Sequence, residues 1–201
     1  MLKKIVSAFG GLSLAAFVTA AHATPVTTAP EALSVNGNVQ LVFIGSDAGD
    51  TSYLSLVDGL QNIFCNHTTS SCTAAHAGDT VDLGTLSGDL VFQLRDITVP
   101  NTFDTENTSS DGYYHAKIST NYTDLGVFSI PKAAADAIAA ILTSDGIVRY
   151  IGFEDRLHGD YDYNDFVFAV VDPPRAPIPE PASLFILGAG LAGIAAKRRR
   201  R

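Results

Sequence analysis

Within the nine residues HGDYDYNDF, numbers 158 to 166, Asp160, Asp162, Asn164 and Asp165 supply carboxylate and amide oxygens, interleaved with Tyr161 and Tyr163. Glu154 and Asp155 lie just upstream, and Arg156 is the nearest base. If the flanking segments pair as strands, their connection gathers up to five carboxylates and one amide oxygen. At an effective dielectric constant near 20, each like-charged pair ~4 Å apart costs roughly 4 kcal/mol before screening. Such a cluster needs a cation, protonation or wide spacing. Calcium suits it best, because the ion takes roughly six to eight oxygens in flexible geometry and extracellular modules bind it at ~0.1–1 mM. The candidate ligands are therefore Glu154, Asp155, Asp160, Asp162, Asn164 and Asp165, with Ca2+ as the expected cofactor. An alternative stays open: Asp and Asn also cap turns by accepting from nearby backbone N–H groups. On that reading Gly159 marks the turn, the tyrosines pack on a sheet face and the charges are only solvated.

The D-x-D-x-N opening resembles the first half of an EF-hand loop, but Asp165 stands where that loop needs glycine and Val171 where it needs a bidentate glutamate. An EF-hand is therefore excluded. Two carboxylates are also the equipment of a glycoside hydrolase or lyase. The chain has no Trp to supply a sugar platform, no Gly-x-Ser-x-Gly elbow and no Cys-His pair suited to nucleophilic catalysis in an oxidised compartment. His115 stands alone and reads as structural. A non-catalytic protein is expected. Carbohydrate binding without catalysis is the alternative, with Tyr113, Tyr114, Tyr161 and Tyr163 stacking on sugars.

The elements that must position this loop read as strands. VQLVFIG (39–45), SYLSLVD (52–58), DLVFQLRDI (89–97), YYHAKIS (113–119), IVRYIGF (147–153) and FVFAVVD (166–172) are rich in β-branched and aromatic residues. Turn formers such as SDAGD, GDT, SGD and NTSSDG separate them. The exception is PKAAADAIAAILT (131–143), which opens on Pro and places Ala135, Ile138, Ile141 and Leu142 roughly on one face, predicting a short helix. The expected fold is all-β: an antiparallel β-sandwich or jelly-roll-like domain with one short helix. Cys65 and Cys72 are the only cysteines. A disulfide is the default in an exported chain, and a zinc site with His67 and His76 is the alternative.

Both ends predict export. Lys3 and Lys4, the apolar run Ile5 to Ala20 and the small-x-small site Ala21-His22-Ala23 form a secretory signal over 1–23, cleaved between Ala23 and Thr24. The secreted domain is expected over 24–172. Five of the nine prolines fall within the linker 173–181, too dense for helix or central strand. Beyond it, 182–201 reads as an apolar C-terminal transmembrane helix closed by Lys197, Arg198, Arg199, Arg200 and Arg201. That basic cluster would stay on the cytoplasmic side of the inner membrane. The chain has 13 basic and 21 acidic side chains; two bases precede residue 24 and five follow residue 181, so residues 24–181 carry −15. Such a surface excludes nucleic acid as a partner and attracts divalent cations.

Pro179-Glu180-Pro181, an apolar helix and a terminal arginine cluster together resemble the PEP-CTERM sorting signal of Gram-negative bacteria that make extracellular polysaccharide. The resemblance implies exosortase as a processing partner, transient residence in the inner membrane, and a final place at the cell surface or in an extracellular matrix, with exopolysaccharide or biofilm as the associated material. Phe153-Glu154-Asp155 followed by Asp-x-Asp-Tyr-Asn-Asp-Phe-Val-Phe, with HAK upstream of IGFED, is similar to the secreted domain of unknown function 4114. That family pattern implies calcium binding and a β-sandwich. Arg156, Leu157 and His158 depart from the leucine and glycines common there.

Overall fold

The computed structural model describes residues 24–142 and 146–172. The expected secretory signal (1–23), the expected proline-rich linker with Pro179-Glu180-Pro181 and the expected C-terminal transmembrane helix with its basic tail lie outside the described residues. Among the described residues no helix is long and apolar enough to cross a membrane.

Among the described residues nine strands form two antiparallel sheets. The first has the order β4(Thr80–Asp89), β1(Ser34–Gly45), β9(Phe166–Asp172), β8(Ile147–Phe153), β7(Ala116–Ser119). The second has the order β3(Phe64–Cys65), β2(Ser52–Leu56), β5(Phe92–Asp96), β6(Asn101–Asp104). One core lies between them, contributed by Leu41, Phe43, Ile151, Phe153, Phe166 and Phe168 from the first sheet and Leu54, Phe92, Leu94 and Phe103 from the second. The predicted sandwich is therefore present.

The run FVFAVV owes its lack of alternation to its place in the middle of the first sheet. Phe166, Phe168 and Val170 face the inter-sheet core. Val167, Ala169 and Val171 face a second cluster on the outer surface, where α1(Lys132–Ile141) lays Ala134 and Ile138. A strand covered on both faces has no polar side to show. The helix follows Pro131, whose fixed φ suits the residue ahead of a first turn.

Several boundaries differ from the sequence reading. Tyr113 to His115 precede β7 rather than opening it, and DLVFQLRDI contains the end of β4 and the whole of β5. Three strands were not predicted: β3, β4 and β6. β4 opens on the last residue of GDT and ends on SGD, a signal that reads as a turn. Its pairing with β1 shifts at Val39/Gln40, where Gly84 adopts a positive φ of 75°, so the glycine serves a bulge inside a strand and not a chain reversal.

Candidate metal site

The acidic loop connects β8 to β9, neighbours in the first sheet whose pairing ends at Phe153↔Phe166. Everything from Glu154 to Asp165 is thus a closed excursion from one end of the sandwich. Its carboxylates come together in two overlapping groups. Glu154, Asp155 and Asp165 form one, and Glu154, Asp160 and Asp162 the other; within each group one oxygen per residue lies within 4.8 Å of the others. Glu154 is 2% exposed and Asp155 3% exposed. Glu154, Asp155, Asp160 and Asp165 line an open cavity of about 430 Å³ with Asp47 and Arg156.

Local hydrogen bonds fix the loop. The Tyr161 amide donates to Glu154 Oε2 at 2.9 Å, and the Asp155 amide donates to Asp165 Oδ2 at 3.0 Å. The Asn164 amide group donates to Asp162 Oδ2 at 2.6 Å, so Asn164 orients a predicted ligand. Gly159, read from the sequence as marking the turn, does not adopt a positive φ. Positive φ falls instead on His158, Tyr161 and Tyr163, at 58°, 56° and 63°, a conformation costing roughly 1–2 kcal/mol at a non-glycine residue. Gly159 is needed for space: a Cβ there would run into Glu154 Oε1.

Tyr161 and Tyr163 are correspondingly poor sugar platforms, which corrects the stacking expectation for those two. Tyr161 is 8% exposed and Tyr163 fully buried; Tyr113 and Tyr114 are half-buried. Tyr163 packs in the outer-face cluster with its hydroxyl donating to the Tyr114 carbonyl at 3.1 Å. The Tyr161 hydroxyl donates to Asp111 Oδ2 at 3.1 Å. The same oxygen meets His115 Nε2 at 2.9 Å, and both of those side chains are wholly buried. His115 stacks on Phe103 with ring centroids 4.2 Å apart. It is therefore a packed, hydrogen-bonded core residue tying the β6–β7 connection to the acidic loop.

Electrostatics mark the site as unbalanced. Burial first, and then the Asp165 charge, push Glu154 up to about 9. Burial, Asp165, Asp50 and Asp96 push Asp155 up to about 7. Asp162 is also raised, by burial and then by the Asp160 and Asp165 charges. Arg156 does not neutralise this group: its Nε donates to Asp50 Oδ2 at 2.6 Å. Asp155 Oδ2 is buried without any hydrogen-bond partner. An all-oxygen set with surplus negative charge and an orphaned carboxylate oxygen fits a hard divalent cation.

Four participants were not singled out in the sequence. Asp47 and Asp50 belong to SDAGD and Asp111 to NTSSDG, where they read as turn formers, and Asp96 reads as a strand end. No spacing pattern joins them to residues 154–165; only the β1–β2 loop, the end of β5 and the β6–β7 loop bring them there. At the second sheet's edge, Cys65 and Cys72 form the expected disulfide, which excludes zinc at those thiolates.

Residues 177–201 match the PEP-CTERM protein-sorting motif, and residues 96–171 match the domain of unknown function DUF4114. Both resemblances read from the sequence are thereby shown. No curated protein matches the chain. Among solved structures, the Chromobacterium violaceum lectin CV2L, in complex with alpha-methyl-fucoside, is similar at 15% identity and a TM-score of 0.37, over 72% of this chain and 95% of that one.

Proposed function

We propose that the domain is a non-catalytic, calcium-stabilised module of an exported envelope or matrix protein. The sorting motif implies export and processing by an exosortase. An inner-membrane intermediate followed by release or attachment among exopolysaccharide is the route we propose for it.

The observation that carries the calcium reading is the group Glu154, Asp155 and Asp165: three carboxylates converge, two of them almost wholly buried, and the nearby guanidinium is committed to Asp50. Burying charges without compensation costs several kcal/mol per ion. Glu154 belongs to both carboxylate groups, so a cation there draws in Asp160 and Asp162 as well. Calcium is favoured over magnesium because the donors come from a long loop with varied reach, and magnesium demands near-ideal octahedral geometry.

The test is thermal unfolding of the chain with 2 mM calcium, with magnesium and with chelator. At ~20 µM affinity, a hundredfold excess adds about 2.7 kcal/mol, a rise of several degrees for a domain of this size. The expected result is a calcium-selective rise that Asp160→Asn with Asp162→Asn diminishes. Equal unfolding temperatures in calcium and chelator would remove the metal reading.

A further inference from the structure

The segment Ser46-Asp47-Ala48-Gly49-Asp50 leads from β1 toward β2, and its Asp47 and Gly49 line the acidic cavity. Two bonds join it to the acidic loop. The Ser46 hydroxyl donates to the Asp165 carbonyl, and the Asp47 amide donates to the Asn164 carbonyl at 3.2 Å. Its other anchor comes from the second sheet. Asn66 Nδ2 donates to Ser46 Oγ at 3.1 Å and to the Asp50 carbonyl at 2.8 Å. A side-chain amide nitrogen carries two hydrogens, and here one goes to each end of the segment. Asn66 Oδ1 accepts from the Ser52 amide at 2.8 Å. A backbone N–H on one side and a carbonyl on the other fix which way the amide faces.

Asn66 is itself held by the disulfide. It follows Cys65 at the end of β3, a strand that pairs with β2 only at Tyr53 and Leu54. So short a strand does little to fix its own end. Cys65 is wholly buried, bridged to Cys72, and its carbonyl accepts from the Ala75 amide at 2.8 Å. The path of contacts is therefore continuous from the bridge through Asn66 to Ser46 and Asp50, and from Ser46 to Asp165.

We propose that Asn66 is a positioning residue for the calcium site, carrying the constraint of the Cys65–Cys72 bridge to the cavity wall formed by Asp47 and Gly49. The inference rests on the calcium reading of that cavity. Asn66 does not line the cavity and acts through two neighbours. Ser46 Oγ accepts from Asn66 and donates to the carbonyl of Asp165, a member of the ligand group. Asp50 takes Asn66 on its carbonyl and Arg156 Nε on its carboxylate, so the same clip sets where the guanidinium stands. Without the clip the segment is ordered only when calcium binds, and that ordering is subtracted from the affinity. A bridge at the edge of the second sheet thereby acts on a site built on the first, and full calcium affinity becomes a property of the oxidised chain.

The test is calcium titration calorimetry of the full chain in mild detergent, at a temperature where circular dichroism shows each variant folded. Asn66→Ala and, separately, Cys65→Ser with Cys72→Ser are expected to weaken calcium roughly tenfold or more, the usual scale for residues that orient ligands. Adding the serine pair to Asn66→Ala is expected to bring no further loss, because both act along one path. Ser46→Ala, at an exposed position, is expected to weaken calcium in the same way and keeps the test decisive if the bridge variant unfolds. Thr69→Ala is the control within the bridged loop. Its hydroxyl meets those of Tyr53 and Ser71 at 2.6 and 3.3 Å, so wild-type affinity is expected. Unchanged affinity in Asn66→Ala, or an equal loss in Thr69→Ala, overturns the positioning role and leaves the calcium site standing. A wild type that binds no calcium removes the calcium reading and this role together.

Discussion

Glu154 and Asp155 illustrate how a residue's protonation links folding to a cation. Both are pushed above the ordinary carboxylate range, chiefly by burial and then by Asp165. Between the ordinary values and the raised ones, the folded chain holds protons that the unfolded chain has released. Stability therefore falls as pH rises through this window, toward about 9 for Glu154 and about 7 for Asp155. It is fully present only below the unfolded values. Calcium works in the opposite sense, because its ligands must be ionised and proton and metal compete for the same oxygens. In chelator the unfolding temperature should drop between roughly pH 5 and pH 9, and in 2 mM calcium the drop should flatten or invert. Parallel curves would place the ion elsewhere. The neighbouring Asp111 is shifted in the other direction. Burial alone would raise it, but the bonds from His115 and the Tyr113 amide outweigh that effect. An ionised Asp111 is the acceptor on which the Tyr161 hydroxyl and, through it, the acidic loop are hung.

At the scale of elements, β9 does most to fix the site, because it is buried on both faces and leads directly out of the acidic loop. Phe168 is wholly buried and lies 5.0 Å, edge to face, from Phe92 of the other sheet. Phe168→Ala should cost roughly 3–5 kcal/mol in denaturant unfolding, with little change in midpoint difference between calcium and chelator. A loss of the calcium increment alone would mean that the core and the loop are coupled more tightly than this packing implies. The same strand shows why part of the fold was legible in the sequence. Long apolar runs such as those of β1, β8 and β9 announce themselves, as does the alanine-rich helix with its leading proline. β4 was hidden because an edge strand needs little apolar surface and its glycines carry a bulge. β3 and β6, at two and four residues, are too short to establish a period. The loop carboxylates were legible because they are adjacent in sequence. Asp50, Asp96 and Asp111 were not, since their proximity is a product of topology and each looks locally like a turn or strand end.

At the scale of the whole molecule, stability is unevenly distributed between a phenylalanine-rich middle and a carboxylate-rich end. The middle needs no counter-ion. The acidic end has left-handed residues at His158, Tyr161 and Tyr163, orphaned oxygens at Asp96 and Asp155, and Arg156 as its principal fixed cation. Locally opening segments are those with unfavourable backbone and few apolar contacts, so without calcium this end should open well before the sheets separate. Trypsin can read that opening because Arg156 lies inside the loop, is 57% exposed at its side chain and is held by Asp50 alone. Cleavage after Arg156 requires the backbone to leave the cavity floor, which breaks the Asp155–Asp165 and Tyr161–Glu154 hydrogen bonds. Limited digestion in chelator should therefore yield a fragment ending at Arg156 before cuts at Arg95 or Arg149, which lie within strands. Calcium at 2 mM should slow the first cut about tenfold or more, the factor by which it lowers the open population if it contributes at least about 1.4 kcal/mol. The strand cuts should follow global unfolding and change with it. If cleavage at Arg156 runs at the same rate with and without calcium, the loop is closed by its hydrogen bonds alone, and the surplus carboxylates are neutralised by protons.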